Sequence, residues 1–335
     1  MKRIILGLIL CVLVAGLRAP LAVVPGDSYV PASGPGPHAV QEWTAEWTDP
    51  SRGRVVPVRI YYPADAKSPC PVVVFSHGLG GSRDGYRYLG ERWASRGYVS
   101  VHVQHLGSDS ALLKDKHPVM AFVKSAQDPE NARNRPLDIT FALDMLARLN
   151  GEEGFPLKGR LDMARVGVGG HSFGAYTALA SAGRVFSLPG GTWDPRDPRV
   201  KACVALSAPV RSKAQDCPTY HEFAVPCLHM TGTKDVSPIG GTPAVLRRVP
   251  YDCIPAPDQY LAIFEGGDHM VFSGRISRRP KSTDARFQQL VCEATTAFWD
   301  AYLRGDEKAK SWLARGGFER DMGASGTFEE KRVSP

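Results

Sequence analysis

The pentapeptide GHSFG at 170–174 constrains the fold of this chain more than any other stretch. It follows the apolar run RVGVG and precedes a segment whose small and apolar residues recur at helical spacing. A strand, a tight turn and a helix in this order are typical of a nucleophile elbow, which lifts a serine hydroxyl clear of a sheet. Gly170 and Gly174 suit such a turn because side chains there would collide with neighbouring backbone. Ser172 is therefore the candidate nucleophile, and a plain Gly-Ser loop at a strand end is the alternative.

Short apolar runs alternate with helix-like segments over most of the chain, which at 335 residues and 43% hydrophobic content can bury a sizeable core. The first two runs favour an antiparallel lead-in hairpin. The later ones, separated by helices, predict an α/β fold with a mostly parallel sheet and helices on both faces. Predicted strands cover 40–47, 55–62, 72–76, 99–103, 165–169, 202–206, 227–231 and 260–264, and predicted helices cover 86–95, 137–149, the segment from 173 onward, and 287–303.

Partners for the serine are expected beyond the carboxyl ends of the strands, where sites in such sheets lie. A serine hydroxyl needs a positioned base, here a histidine oriented by a carboxylate, and in this topology the order is serine, acid, histidine. Asp235 follows the strand 227–231 after a turn, and His269 follows the strand 260–264 after Gly266 and Gly267. They are the predicted acid and base. A turn-capping role is the alternative for Asp235.

Other titratable residues are candidates for the same roles. Asp216 is a rival acid, although no strand directly precedes it. His171 is expected to be buried beneath the elbow, and His229 lies inside an apolar strand, so both are interpreted as packing residues. His102 and His105 come at the end of a strand, where a role at the rim of the site stays open.

The glycine-containing loop HGLGG at 77–81 is the predicted second half of an oxyanion hole, which needs two backbone N–H groups aimed at the developing charge. One donor is expected from Phe173, the residue after the nucleophile. The second is assigned to Leu79. A phosphate-binding loop is the rival interpretation, but no G-x-x-x-x-G-K-[ST] motif is present.

The chain divides by composition into four parts. Residues 1–22 carry Lys2 and Arg3 before an uncharged stretch, which predicts a signal peptide and hence a secreted or periplasmic protein. Residues 23–39 predict a flexible leader, 40–315 the catalytic domain, and 316–335 a mobile tail. Within the domain, the insertion 107–131 is expected to form a lid or rim over the site, with an ordinary surface loop as the alternative.

Charge and cysteine content exclude some partners and permit others. The net charge of +7 falls to near +4 without the leader, which is too modest and dispersed to indicate a nucleic-acid partner. Six cysteines remain outside the leader, and an even number in an exported protein permits disulfides, with Cys217 and Cys253 as the favoured pair. No spacing is that of a zinc site, and no metal, organic cofactor or membrane span in the mature chain is predicted.

Two motifs carry a resemblance to a known superfamily. With SHGLGG at 76–81 and GHSFG at 170–174, the chain resembles the α/β-hydrolases over roughly residues 40–315, in particular the dienelactone hydrolase and platelet-activating-factor acetylhydrolase-like branch. RPLD at 135–138 is similar to bacterial members of that branch. In the acetylhydrolases the acid follows the strand directly after the elbow helix, where this chain has Ser207.

The C-terminal half resembles a second group within the superfamily. The position of Asp235, GGDH at 266–269 and AFWDAYLRGD at 297–306 are similar to bacterial cutinases and polyester hydrolases. Val210 stands where those enzymes often carry an aromatic residue, which weakens a prediction of polyester cleavage.

Motifs and resemblance together predict an exported serine hydrolase that cleaves small or lipid-like carboxylic esters through an acyl-enzyme. The same triad serves amidases, peptidases and acyltransferases, which are the alternatives within catalysis. An inactive hydrolase fold that binds a ligand is the alternative from another class. Substrate specificity is expected to depend on the loops 107–131, 186–199 and 208–224.

Overall fold

The computed structural model describes residues 29–331, except residues 32, 238, 257 and 275–282. The predicted signal peptide at 1–22 therefore lies outside the described residues. Strands in the described chain are β1 (Val40–Asp49), β2 (Arg54–Pro63), β3 (Cys70–Ser76), β4 (Val99–Val103), β5 (Leu161–His171), β6 (Phe186–Leu188), β7 (Gly191–Trp193), β8 (Val200–Leu206), β9 (Cys227–Lys234), β10 (Gln259–Asp268) and β11 (Gly326–Lys331).

The described strands other than β6 and β7 form one sheet in the order β1-β2-β4-β3-β5-β8-β9-β10-β11. The central strands β4, β3, β5, β8, β9 and β10 run parallel to one another. At one edge β1 and β2 form an antiparallel hairpin, and at the other β11 pairs antiparallel with β10. The α/β prediction and its antiparallel N-terminal lead-in are confirmed.

Helices cover both faces of this sheet. In the described residues they are α1 (Arg87–Ser95), α2 (Pro118–Gln127), α3 (Pro129–Leu149), α4 (Phe173–Ala182), α5 (Lys213–Asp216), α6 (Val249–Cys253), α7 (Asp284–Leu303), α8 (Glu307–Ala314) and α9 (Gly317–Met322). Helices α3 and α4 share one hydrophobic core, and α1 and α7 share the other. Alternate side chains of β3 enter different cores, Val72 and Val74 the first and Val73 and Phe75 the second.

Helix α3 begins earlier than the predicted helix at 137–149. It starts at Pro129, so that Pro136 lies inside it. The side chain of Asp128 accepts the N–H of Glu130 and caps this earlier start, and proline is tolerated in the first turn. Pro136 removes one helical hydrogen bond without ending the helix, which is why its position misled the prediction.

Two insertions contain structure that the sequence did not indicate. The segment 107–131 holds a 3₁₀ turn at Ser110–Lys114 and then α2, and both precede α3. Strands β6 and β7 form a small hairpin of their own after α4. Both insertions lie at the edge of the sheet formed by the carboxyl ends of the central strands, where Ser172 also lies.

The predicted mobile tail at 316–335 is wrong for the described residues up to Lys331. These residues form α9 and β11, and β11 completes the sheet beside β10. Two aromatic side chains from this segment pack with one from β10. The ring centroid of Phe328 lies 4.9 Å from that of Phe318 and 5.9 Å from that of Tyr260, on which Phe328 stacks. Because the residues around Phe328 are polar, the sequence does not indicate that this segment packs on the domain.

The described part of the predicted leader packs on the domain. The amide of Gly36 donates to the hydroxyl of Ser95 at 2.8 Å, and the amide of His38 donates to the carbonyl of the same residue at 3.1 Å. The hydroxyl of Tyr29 donates to Asp300 of α7 at 2.7 Å. These bonds hold the described leader residues against α1 and α7, unlike the flexible leader predicted for 23–39.

Cys217 and Cys253, the favoured pair, form a disulfide across 36 residues. The bond joins the turn after α5 to α6. The other described cysteines are buried free thiols: Cys70, Cys203, Cys227 and Cys292.

Candidate active site

Ser172 lies in the tight turn between β5 and α4, with φ 55° and ψ −119°. This strained conformation is rare for a residue with a side chain and is typical of functional turns. A Cβ on Gly170 would lie 2.1 Å from the carbonyl oxygen of Gly174, and one on Gly174 would lie 1.9 Å from that of Ser76. The elbow can therefore close only with glycine at both positions.

His269 reaches the serine from the turn after β10. Gly266 adopts φ 74°, a left-handed conformation that glycine permits, and the chain then brings the imidazole over the elbow. Nε2 of His269 lies 2.9 Å from Oγ of Ser172, which is hydrogen-bond distance. Nitrogen and hydroxyl are placed for direct proton transfer.

Asp235 follows β9 and lies on the other side of the imidazole. Its Oδ1 is 2.7 Å from Nδ1 of His269, and its Oδ2 accepts from the hydroxyls of Ser207 and Thr231. Burial alone raises the pKa of Asp235, but the hydrogen bond from His269, the charge of Arg247 and the hydroxyl of Ser207 lower it to about 2. The carboxylate therefore stays ionised beside Nδ1 of His269.

Arg247 is a neighbour of this pair that the sequence did not indicate. It lies in the 3₁₀ turn Ala244–Arg248, is fully buried, and places Nε 3.4 Å from Oδ1 of Asp235. Its NH1 donates to the carbonyls of Ser207 and Ala208 at 2.8 and 2.9 Å. In the sequence LRR, Arg247 looks like a surface arginine. Its burial could therefore not be predicted from the sequence.

The rival acid Asp216 is not part of this arrangement. Its carboxylate is buried and pairs with Arg184 at 2.6 Å, and it also accepts the N–H of Arg211. Asp216 and Arg184 instead line the pocket that contains Ser172.

The predicted oxyanion donors Leu79 and Phe173 lie at the ends of β3 and β5, which are neighbouring strands. Within the described chain, neither backbone N–H donates to a protein acceptor, whereas Gly78 donates to Tyr86 and Gly80 donates to Ser108. Both residues line the same pocket as Ser172. The two amides are thus available to a substrate oxygen.

A buried polar cluster supports the loop that carries Leu79. Ser76 lies 2.9 Å from Nε2 of His105, whose Nδ1 lies 3.0 Å from Asp138. Arg135 donates to the hydroxyl of Ser76 and to the carbonyl of His77. His105 is therefore beneath the loop instead of at the rim of the site, and His102 is likewise buried.

Arg135 also reaches the elbow helix from this cluster. Its Nε donates to the hydroxyl of Thr177 at 2.9 Å, and its guanidinium carbon lies 4.4 Å from the ring centroid of Phe173. Burial lowers the pKa of Arg135 to about 9, so the group remains charged at neutral pH. One side chain therefore connects both halves of the predicted oxyanion hole.

His171 links the oxyanion loop to the turn that carries His269. As predicted, it is buried beneath the elbow. Its Nε2 donates to the carbonyl of His269 at 2.9 Å, and its Nδ1 accepts from the hydroxyl of Tyr86 at 2.8 Å. Tyr86 in turn accepts the N–H of Gly78. Burial holds the pKa of His171 well below its usual range, which keeps the ring neutral and able to play both roles.

A cavity of about 900 Å³ opens over Ser172. This is near the upper end of the range of about 300–1,000 Å³ that small-molecule sites occupy. Phe122 and Ala126 of α2 line it, so the insertion 107–131 forms part of its wall. The other apolar lining residues include Leu79, Phe173, Tyr176, Phe186, Leu188, Trp193, Val210 and Met270.

The described residues contain no cluster of three or more His, Cys, Asp or Glu side chains placed to hold a metal ion. None of the helices described here combines the length and apolar character needed to cross a membrane.

Comparisons with known proteins match part of the chain. Residues 53–134 match the family model of platelet-activating factor acetylhydrolase, isoform II. A platelet-activating factor acetylhydrolase of Cavia porcellus is 27% identical over 151 residues, which are 37% of this chain and 34% of that protein. The match thus spans about a third of the length of this curated relative.

These matches confirm the predicted resemblance to the acetylhydrolase-like branch of the α/β-hydrolases. The residues matched by the family model include β3, the loop at Leu79 and β4, and they end within α3 before the elbow. The similarity of the C-terminal half to cutinases stays a prediction.

Proposed function

We propose that this chain is a serine hydrolase that cleaves carboxylic esters through an acyl-enzyme intermediate. The observation that carries the proposal is the hydrogen-bonded series from Ser172 Oγ through His269 to Asp235, at 2.9 and 2.7 Å. A nucleophile, a base and an orienting carboxylate within such distances form the arrangement that activates serine. The similarity to acetylhydrolases, whose name denotes hydrolytic release of an acetyl group, supports a hydrolase function.

In the first half of the reaction, Oγ of Ser172 forms a bond to the ester carbonyl carbon while its proton passes to Nε2 of His269. The carbonyl oxygen gains the negative charge and accepts hydrogen bonds from the amides of Leu79 and Phe173. When the carbonyl re-forms, the bond to the alcohol oxygen breaks, and that oxygen takes the proton from His269. Asp235 stabilises the imidazolium throughout.

Water completes the cycle. It attacks the acyl-enzyme carbonyl and gives a proton to Nε2 of His269, and the same two amides hold the oxyanion. The bond to Oγ then breaks, the proton returns to Ser172, and the carboxylic acid leaves. No group other than these residues and water is required, so the atoms balance without a cofactor.

Export is a second part of the proposal. The pattern of residues 1–22 favours a signal peptide, and the disulfide between Cys217 and Cys253 suits an oxidising compartment. We expect the mature enzyme outside the cytoplasm. Cell fractionation with N-terminal sequencing of the recovered enzyme tests this, and an intact N-terminus in the cytoplasmic fraction would overturn it.

Replacement of the nucleophile tests the activity. Ser172→Ala should lower kcat/KM for ethyl acetate by about 10⁴–10⁶-fold, as loss of a triad nucleophile does elsewhere. It should also abolish labelling by a fluorophosphonate probe. Ser68→Ala, at an exposed serine, is the matched control. Undiminished turnover in Ser172→Ala would sink the assignment, and faster cleavage of an amide than of the ester with the same acyl group would favour an amidase.

A further inference from the structure

Four aromatic rings form a continuous series along the wall of the pocket, beginning beside the nucleophile. We call Phe173, Tyr176, Phe186 and Trp193 the aromatic ladder. Its successive ring centroids lie 5.7, 5.6 and 5.2 Å apart, with interplanar angles of 42°, 49° and 31°. All four rings line the pocket that contains Ser172. The ladder therefore leads from the reacting atoms to the hairpin of β6 and β7.

The middle of the ladder is held from one side by a buried cation. The guanidinium carbon of Arg184 lies 5.7 Å from the ring centroid of Tyr176 and 5.2 Å from that of Phe186. Arg184 is itself fixed by Asp216 at 2.6 Å and by the hydroxyl of Thr219 at 2.9 Å. These contacts position the rings before a substrate arrives, so little ordering is needed on binding.

We propose that the aromatic ladder is an acyl-binding subsite that selects esters whose acyl group carries an aromatic ring. The proposal rests on the serine hydrolase function proposed above and adds its substrate class. Rings at this spacing offer a guest ring tilted and offset contacts, which contribute beyond the burial of apolar area. A saturated ring of the same size gains only the area term, and a flexible alkyl chain also loses rotational freedom.

The ladder belongs to the acyl side of the ester because of the order of events at the elbow. The amide of Phe173 holds the carbonyl oxygen of the acyl group, and the ring of the same residue begins the ladder. The leaving alcohol must take its proton from Nε2 of His269, so it departs beside that imidazole and Met270. The pocket volume of about 900 Å³ also far exceeds the space that an acetyl group fills.

The test compares two ethyl esters whose carbonyl groups are electronically matched: ethyl 3-phenylpropanoate and ethyl 3-cyclohexylpropanoate. An aliphatic alcohol keeps any other ring out of the pocket. Wild-type kcat/KM should favour the phenyl ester by about 2- to 10-fold, the size of the aromatic contribution. Trp193→Leu and Phe186→Leu should each bring this ratio close to one, while Trp193→Phe, which retains a ring, should preserve most of it.

Several outcomes would overturn the proposal. One is hydrolysis of the cyclohexyl ester by the wild type at a kcat/KM equal to or above that of the phenyl ester. Another is a phenyl-to-cyclohexyl ratio of kcat/KM that is unchanged in both leucine variants. A ring preference seen with benzyl acetate over cyclohexylmethyl acetate, but absent from the acyl pair, would overturn the acyl assignment. Fluorophosphonate labelling of each variant reports whether its site is folded. If the wild type hydrolysed neither ethyl acetate nor either propanoate ester, the hydrolase function itself would be refuted, so the two failures are distinguishable.

Discussion

Ser207 directly follows β8 with φ 54°, and its hydroxyl donates to the carboxylate of Asp235, which directly follows β9. The resemblance to the acetylhydrolases predicts the acid at this position. Here Asp235, after β9, reaches the same imidazole, and Ser207 and Arg247 hold its carboxylate from two sides. The acid after β9 is therefore held by one hydroxyl and one buried guanidinium.

Replacement of the acid without change of shape should expose its role. In Asp235→Asn the amide can no longer enforce the Nδ1-protonated tautomer of His269, so kcat should fall by about 10⁴-fold. Steady-state hydrolysis of ethyl acetate measures this. Asp65→Asn, at an exposed carboxylate paired with His38, is the control. Retention of a tenth or more of wild-type kcat in Asp235→Asn would contradict the assignment.

Replacement of either elbow glycine, Gly170 or Gly174, by alanine should destabilise the turn. Gly170→Ala places Cβ 2.1 Å from the carbonyl oxygen of Gly174, so the free energy of unfolding should fall by about 1–3 kcal/mol or more. Labelling by the fluorophosphonate probe should be lost as the turn opens. The control is Gly151→Ala, where the nearest atom is 3.7 Å away. Urea unfolding of both variants gives the comparison, and equal stability would show that the turn can relax.

At the residue scale, the sequence allowed prediction of the groups whose positions follow from strand ends. Ser172, Asp235 and His269 each come just after an apolar run, so topology alone brings them together. Arg247, Ser207 and Thr231 could not be found this way, because their contacts depend on packing of a turn against strand ends. The same is true of Arg135, which the sequence showed only as part of a motif.

At the scale of elements, α3 does more than cover the sheet. Its buried residues Arg135 and Asp138 lie one turn apart and bind the cluster beneath the oxyanion loop, while Arg135 also contacts α4. The helix therefore fixes the distance between the loop after β3 and the elbow after β5. Arg135 acts through these backbones and is a positioning residue.

Arg135→Lys should weaken stabilisation of the transition state more than substrate binding. One ammonium cannot hold the oxygens of Ser76, His77 and Thr177 together, so the two oxyanion donors should lose alignment. We expect kcat to fall by about 10- to 100-fold with little change in KM. This decrease is smaller than the decrease in kcat expected when an oxyanion donor is removed completely.

Inhibitor affinity separates this role from a merely structural one. Binding of a trifluoromethyl ketone, which forms an oxyanion in the same site, should weaken in proportion to kcat/KM. Arg148→Lys, on the exposed face of α3, should leave both values unchanged. Unaltered inhibitor affinity in Arg135→Lys would show that the cluster serves stability alone.

Elements with strong periodicity were predictable, and those held by a few contacts were not. The runs at 72–76 and 99–103 became β3 and β4 almost unchanged, because a fully buried strand is continuously apolar. Strand β11 escaped prediction because Phe328 is its one large apolar side chain. Helix α2 escaped because its apolar residues face the pocket and solvent as well as the domain.

At the scale of the whole molecule, buried histidines make stability depend on pH. Burial lowers the pKa of His102 and His229 to about 4 and of His105 to about 3, and holds that of His171 well below its usual value. Between pH 6.5 and 4 the unfolded chain therefore binds protons that the folded chain does not. Stability is present above this range and is lost as the pH falls.

Each such histidine lowers the free energy of unfolding by about 1.4 kcal/mol per pH unit within this range. Thermal unfolding midpoints should therefore drop steeply from pH 6.5 to 4. His229→Gln removes one titrating group from a site next to Gln259 and should flatten the slope. A midpoint that stays constant over this range would show that the histidines already titrate in the folded state.

The disulfide between Cys217 and Cys253 encloses β9, Asp235 and Arg247 in one covalent ring. Val236, Gly240 and Gly241, which follow Asp235 in the chain, are exposed and offer a natural place for a protease to cut within that ring. A chain cut there remains a single molecule, since the disulfide still joins its two fragments and the sheet still places each strand. Such a clipped enzyme would migrate as one band without reductant and as two with it, and it could persist in a protease-rich environment with its acid still in place.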